Sequence, residues 1–432
     1  MRFARLVCVG YVLVAGLAVD AEAQTAQAAQ SAQAAMTWAE VRARFEANNP
    51  TLRAGQLGID ESKADEVTAY LRPNPDLSLG GVQWNIAGIP AGSDLGHFQN
   101  LTTSVSSGYT WERNHKRALR RDSAVGATAI AASTQADLVR TLTFNLRAAF
   151  VQLLQAKAFL TLAQQNLTDY DRVLSVSGDR FRAGDIAQVD LDRLQLQRVQ
   201  YESDLQTALV NIRTSKIQLL ALLNDRMTPV DQLDVDGSYD FAPTAPPLEQ
   251  VRQTALQNRP DLRSAVQSID KAKTDNRLAI ANGSTDPSIG ATYAWPTSDN
   301  TVHSLSVGVD IPLRIFDRNQ GEKRKTSIDI TRNEQLADAS RTRVTSDVDS
   351  AYATLMSTIA LLQPYKATYL AQSTRVRDTV QFSFQRGGAS LLDFVQAQQD
   401  YRSVQVSYVN LIAAYLNAAA QLNLATGQEV IR

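Results

Sequence analysis

The sequence predicts a mainly α-helical protein with a small β portion, built from two copies of one unit, and three observations carry that expectation. The first is repetition. Phe181-Arg182-Ala183-Gly184, followed by Asp190 and Gln195, recurs as Phe384-Gln385-Arg386-Gly387, followed by Asp393 and Gln398, at an offset of 203. Upstream, Asn49-Pro50-Thr51-Leu52-Arg53-Ala54 returns as Arg259-Pro260-Asp261-Leu262-Arg263-Ser264 at an offset of 210. Solenoid repeats run to about 20–50 residues, so the unit here is a half-molecule. The second observation is a heptad: Leu146, Leu153, Leu160, Leu167, Leu174 and Phe181 stand seven residues apart, and Val348, Leu355, Leu362, Tyr369 and Val376 carry the same register at an offset of 202. The third is strict alternation of apolar and small polar residues from Ser304 to Leu313, the period of a strand.

Residues 1–23 combine Arg2 and Arg5, an apolar run from Leu6 to Ala18 and the small-x-small triplet Ala21-Glu22-Ala23, which reads as a secretory signal peptide. An apolar run of about 13 residues is too short to cross a bilayer of about 30 Å as a helix. Cys8, the only cysteine, lies inside this leader, so cysteine-based metal or redox chemistry is excluded from the mature chain. Residues 24–37 begin with Gln, Ala, Ser and Thr and are expected to be disordered.

The first copy spans 38–223 and the second 248–426. Each should open with a helix, from Trp38 to about Leu71 and from Leu248 to about Ala281; Pro73 and Pro75 stop the first. A hairpin follows, at 76–111 and at 286–313. In the former, Leu101, Val105, Tyr109 and Trp111 share one face while Thr102, Ser104, Ser106, Gly108 and Thr110 share the other. Strands of about ten residues suit a tilted membrane crossing, but a barrel needs about eight strands to close. Four per chain are too few. Either the strands lie outside a membrane or several chains share one barrel, and aromatics near strand ends, Trp84, Tyr109, Trp111, Tyr293 and Trp295, favour sharing.

Next comes a long coiled-coil helix, from about Arg113 to Phe181 and from about Gln320 to Phe384, each a rod of roughly 100 Å at 1.5 Å per residue. Pro364 interrupts only the second and predicts a kink. Each rod turns at its glycine, Gly184 or Gly387, and a return helix follows. The proline-rich stretch 224–247 is a connector, and 427–432 a short tail.

With 43 basic and 44 acidic residues the formal charge is −1, which offers no basic excess for nucleic acid. After the leader no run approaches 18 apolar residues, so no transmembrane helix is expected. His97, His115 and His303 do not cluster, and no nucleophile motif, phosphate loop or metal-ligand spacing is present, so neither an enzyme nor a bound cofactor is expected.

The paired repeats with Asn-Pro or Arg-Pro-Asp-Leu near their starts, Pro73-Asn74-Pro75-Asp76-Leu77 before the first strand, and the turns at Gly184 and Gly387 resemble the TolC-type outer membrane efflux proteins. The run Val309-Asp310-Ile311-Pro312-Leu313-Arg314-Ile315-Phe316-Asp317-Arg318-Asn319-Gln320-Gly321 is most similar to the CzcC-type heavy-metal branch. The resemblance implies a homotrimer in which four strands per chain close a twelve-stranded barrel in outer-membrane lipid, continued by a periplasmic α-helical barrel. It further implies docking to a periplasmic adaptor and an inner-membrane pump of the resistance-nodulation-division type, and passive conduction of substrate to the exterior. A structural coiled-coil spacer or adhesin of the cell envelope is the competing reading, which would not need the alternation at Leu305–Leu313.

Candidate site residues follow from the same resemblance. Asp393 aligns with an aspartate that rings the tapered tip, and Asp190 is its repeat partner; Arg193 and Gln396 stand where a second acidic residue is common, and Ala389 replaces a bracing arginine. The tip turns with Gly184, Gly387 and Arg386 are the expected adaptor contact. As helix N-terminal carboxylates, Asp190 and Asp393 have an equally good structural explanation. Arg113, Lys116, Arg117, Arg120 and Arg121, with Arg318, Lys323, Arg324 and Lys325, follow the strands and form a candidate basic collar, or a solvated helix face.

Overall fold

The computed structural model describes residues 35–81, 102–242, 244–296 and 302–431. The expected signal peptide, Cys8, Trp84, His97, Leu101 and most of the segment 24–37 lie outside the described residues. In order, the elements are α1 (Trp38–Asn48), α2 (Pro50–Ala69), β1 (Asp76–Gly81), β2 (Thr102–Thr110), α3 (Lys116–Arg182), α4 (Gln188–Leu222), a 3-10 turn at Val230–Gln232, α5 (Leu248–Asn258), α6 (Pro260–Asn282), β3 (Ser288–Pro296), β4 (Ser304–Asp310), α7 (Gln320–Pro364), a π-turn (Tyr365–Tyr369), α8 (Leu370–Gln385) and α9 (Leu391–Thr426).

The opening helix of each copy is two helices rather than one. Asn49 (φ −69°, ψ 119°) and Arg259 (φ −67°, ψ 123°) precede proline, whose ring drives the residue before it out of the helical region and into extended backbone. The proline then starts the next helix, where its missing N–H costs nothing. In the first copy the Asn49 side chain accepts from the amides of Thr51 and Leu52 at 2.9 and 3.1 Å. In the second, the buried Arg259 guanidinium binds Asp261.

The described chain forms two compact units that cut across the sequence copies. One takes the described residues up to Arg53 together with Leu138–Asn258 and Thr345 onward; the other takes Ala54–Asp137 and Arg259–Val344. The first unit is helical. Val41, Phe45, Leu146, Phe150, Leu153, Leu219 and Leu223 make one core, which the connector joins through Leu233 and Val235. The leucine heptad of α3 supplies that core only at its start. Leu146 and Leu153 are fully buried, but beyond them the buried series is Ala156, Ala163, Tyr170 and Ser177, and Leu160, Leu167 and Leu174 are half-buried. That second series is already buried at Ala149, three residues after Leu146, and keeps its seven-residue spacing as far as Ser177. Contrary to expectation, α3 also contains an 18-residue window apolar enough to cross a bilayer by composition, and 44% of that window is buried.

The second long helix differs by one residue. Its buried seam runs Val348, Leu355, Leu362 at intervals of seven, then resumes at half-buried Leu370 and Arg377 and buried Phe384, one position later than the heptad predicts. The Leu370 amide donates to the Tyr365 carbonyl, five residues back, which is the π bond that absorbs an extra residue. The expected kink at Pro364 thus takes the form of a π-turn, and Tyr369 and Val376 are displaced to the surface. The connector braces it: Lys366 donates to Asp240 at 2.8 Å and lies over Phe241.

The second unit carries a four-stranded antiparallel sheet in the order β1-β2-β3-β4. β2 pairs with β3, joining the hairpins of the two copies. The strands end sooner than expected, at Thr110 and Asp310; Trp111, Ile311 and Leu313 lie beyond them, where Pro312 removes a ladder donor. The expected first strand runs past Gly81 into residues outside the description.

Candidate functional site

The candidate residues fall in two places, the tip turns of the first unit and the sheet and its flanks in the second. At the tips, Gly184 (φ 85°) and Gly387 (φ 77°) are left-handed, the conformation that ends a helix and that side chains with a Cβ resist. Both turns close with the same bond, from Asp185 N to Arg180 O at 2.9 Å and from Gly388 N to Ser383 O at 2.8 Å, a donor reaching five residues back. Under the turns, the four helix ends share one apolar cluster of Tyr170, Val173, Leu194, Tyr201, Phe384 and Phe394. Phe384 stacks on Phe394 at 4.8 Å and Tyr170 on Tyr201 at 4.5 Å. Burial pushes the Tyr170 phenol well above its ordinary range, and its hydroxyl donates to the Leu194 carbonyl. Arg180 donates to the Phe384 carbonyl at 2.8 Å and Arg402 pairs with Asp204 at 2.8 Å, so α3 is tied to α8 and α4 to α9.

The candidate gate residues are all at this end, on helix starts. Asp393 is the third residue of α9 and closes a capping box: its carboxylate accepts from the Ser390 hydroxyl at 2.7 Å and the Ser390 amide at 3.1 Å, while its own amide donates back to Ser390 Oγ. These bonds hold the exposed carboxyl below the usual carboxylate range. Asp190 has no such role. The residue capping α4 is Ala187, which has no side-chain acceptor, and Asp190 instead faces Arg193 at 4.0 Å. Arg193 and Gln396 are exposed, and Gln396 donates to Asp400. Arg386 is exposed and lies over the Phe382 ring at 4.1 Å.

The candidate collar is largely engaged with its own surroundings. Lys116 is buried; its ammonium pairs with Asp286 and donates to the Ser284 carbonyl, joining the start of α3 to the segment entering β3. Arg120 pairs with Glu112 and Lys325 with Glu322, while Arg117 and Arg121 lie over the Tyr70 ring. Arg113, Arg318 and Arg324 are exposed and Lys323 is half-buried. The glutamate at 112 and the aspartate at 286 are the partners that sequence reading missed; both sit within four residues of a strand end.

The sheet register sorts its residues by face. Residues directly opposite share a face, and the ladder places Leu77, Leu79, Val105, Tyr109, Ile289, Tyr293, Trp295, Leu305, Val307 and Val309 together. Thr103 and Ser107 share that face, and the other carries Ser, Thr and Gly with Ala294 and, at one end, Asp76 and Asp310. β1 and β4 are exposed at every position, on both faces, so the apolar side chains are bare too, with Leu79 at 78% and Leu305 at 73% exposure. Among the described residues β1 and β4 each pair on one side only, and no group of His, Cys, Asp or Glu is arranged to hold a metal ion.

An antiparallel sheet with one apolar and one polar face, in a chain of long paired helices, suits an outer-membrane channel subunit. The outer membrane efflux protein family model matches residues 41–225 and 251–428, and the chain belongs to that family. It is therefore an outer-membrane protein of the TolC type, with a large periplasmic portion. It is 23% identical over 392 residues to the cobalt-zinc-cadmium resistance protein CzcC of Cupriavidus metallidurans, covering 88% of this chain and 87% of that one. It is 22% identical to the pyoverdine export outer membrane protein OpmQ of Pseudomonas aeruginosa, covering 88% and 82%. Among solved structures the fold matches CusC with a TM-score of 0.76 at 17% identity, covering 90% of this chain and 92% of that one. The open-state MtrE channel of Neisseria gonorrhoeae matches with a TM-score of 0.72 at 14% identity, covering 91% and 89%.

Proposed function

We propose that three copies of the chain close a twelve-stranded barrel in the outer membrane and act as the passive exit duct of a tripartite efflux system. The face segregation of the sheet carries this reading. A surface with leucines and valines outward and Ser, Thr and Gly inward suits lipid outside and water inside. Unpaired edges cannot remain in a bilayer, where every backbone group needs a partner. An even strand count leaves β1 and β4 running in opposite directions, so β4 of one copy and β1 of the next can pair in the antiparallel sense. Purified protein should form discrete pores in planar bilayers and crosslink as a trimer; monomers without conductance would overturn the reading.

In this reading the tip turns at Gly184, Gly387 and Arg386 meet the periplasmic adaptor below an inner-membrane pump of the resistance-nodulation-division type, and Asp190, Asp393, Arg193 and Gln396 surround the opening. The similarity to CzcC over most of the chain supports heavy-metal cations as cargo. Deleting the gene should then sensitise its host to cobalt, zinc or cadmium; unchanged tolerance to all three would exclude that cargo and leave the duct in place.

A further inference from the structure

We propose that Asp76 and Asp310 make the barrel lumen cation-selective, an inference that rests on the closed trimer proposed above. The register shows why these two residues stand out. The polar face of the sheet comprises Asp76, Ser78 and Gly80 from β1, even-numbered residues 104–110 from β2, even-numbered residues 288–294 from β3, and Ser304, Ser306, Gly308 and Asp310 from β4. Of these described residues only Asp76 and Asp310 are charged, and both charges are negative. Both side chains are exposed, and neither has an ion-pair partner among the described residues. The acids next to them are different: Asp286 is held by Lys116 and Glu112 by Arg120.

Their position matters as much as their sign. Asp76 begins β1 and Asp310 ends β4, so both lie at the end of the sheet where strands run into helices. Asp76 is opposite Gly108, and Asp310 is opposite Ser288, which faces Thr110, so the two sit within about one pleat of the same level. They also occupy the two free edges. Closing the barrel brings Asp310 of each copy toward Asp76 of the next, and three such seams make a belt of six carboxylates around the inner mouth of the membrane pore. Fixed charge of one sign in a water-filled passage walled by low dielectric concentrates counter-ions and excludes co-ions. Among the described residues the Ser, Thr and Gly wall elsewhere supplies hydroxyl groups but no competing charge.

The exposed cations beyond the strands, Arg113 and Arg318, are the opposing influence, and the measurement separates the two. Full-length protein in planar bilayers under a KCl gradient gives the ratio of cation to anion permeability from its reversal potential. Work at low salt is informative because the Debye length grows from about 10 Å at 0.1 M to about 30 Å at 0.01 M. The wild type should favour potassium, and the double variant Asp76→Asn with Asp310→Asn should lower the ratio by roughly two-fold or more at low salt. Ser306→Lys, on the same face, should lower it as well, and serves where the double variant assembles poorly. Intact pores whose ratio is unchanged by either variant, or a wild type that favours chloride, would overturn the assignment and leave the duct standing. An absence of pores from the wild type would overturn the duct and this inference together.

Discussion

The two long helices began as copies and now differ by one residue, and the difference shows how a duplicated unit becomes unequal without changing its ends. α3 runs unbroken for 67 residues, and one heptad series, Ala149 to Ser177, is buried without a break in spacing. The second rod keeps a strict seam as far as Leu362, inserts a residue in the π-turn at Tyr365–Tyr369, and resumes one position later, which puts Phe384 rather than Ser383 into the tip core. At the tips both turns are built alike around a left-handed glycine. Their helix starts are not: Ser390 and Asp393 cap α9 reciprocally, and Ala187 leaves α4 without a side-chain cap.

The largest way to break this comparison is to remove the extra residue. Deleting Ala367 should convert the π-turn to α-helix and rotate everything beyond it by about 100°, unseating Phe384 at a cost of roughly 3 kcal/mol or more, the range for losing a buried phenylalanine. A fall in the denaturant midpoint, with lost amide protection in α8, is the expected result; wild-type protection would show that the insertion is incidental. Phe394→Ala at the same core should cost about 3–5 kcal/mol by the same measurement. Gly184→Ala and Gly387→Ala should each cost about 1–2 kcal/mol, and equally, because neither position has neighbours within 4 Å and only the left-handed backbone is penalised. Unequal losses would mean that one tip is held by something besides its turn.

Ser390→Ala should cost about 1 kcal/mol, and Ala187→Ser should recover part of that in the other copy. The same pair sets a pH dependence. The Asp393 carboxyl sits below its unfolded value of about 3.9, so its contribution is present above that pH and is lost as pH falls through the folded value. The gap in unfolding midpoint between wild type and Asp393→Asn should therefore be constant near neutrality and close below about pH 4. The smallest effect belongs to Pro364→Ala. The residue is exposed and the inserted residue, not the ring, requires the π-turn, so the change should stay within about 0.5 kcal/mol.

The inserted residue was visible in the sequence. Leu146 and Val348 differ by 202 positions and Phe181 and Phe384 by 203, so one residue had to enter between Val348 and Phe384. The kink expected at Pro364 lies where that residue enters, since the π-turn begins at Tyr365. The breaks at Asn49 and Arg259 were not expected, although each precedes a proline inside a helical pattern and that proline was the signal for them. At the candidate site, the alternation of β4 and both glycine turns were readable because each follows from backbone geometry. The engagement of Lys116 was not, because its partner Asp286 lies 170 residues away and only folding brings them together.

By itself the sequence determined the elements that depend on local chemistry: two glycine turns, helices of heptad spacing, strands of period two, and the one-residue difference between the copies. Tertiary structure alone decided which seam of α3 is buried, which cations are neutralised, and that β2 pairs with β3. Those outcomes depend on what lies opposite a residue. The sheet face shows the division most plainly, since alternation sorted apolar from polar cleanly along β4, but only the ladder showed that the apolar residues of all four strands fall on one side and that Asp76 and Asp310 share the other.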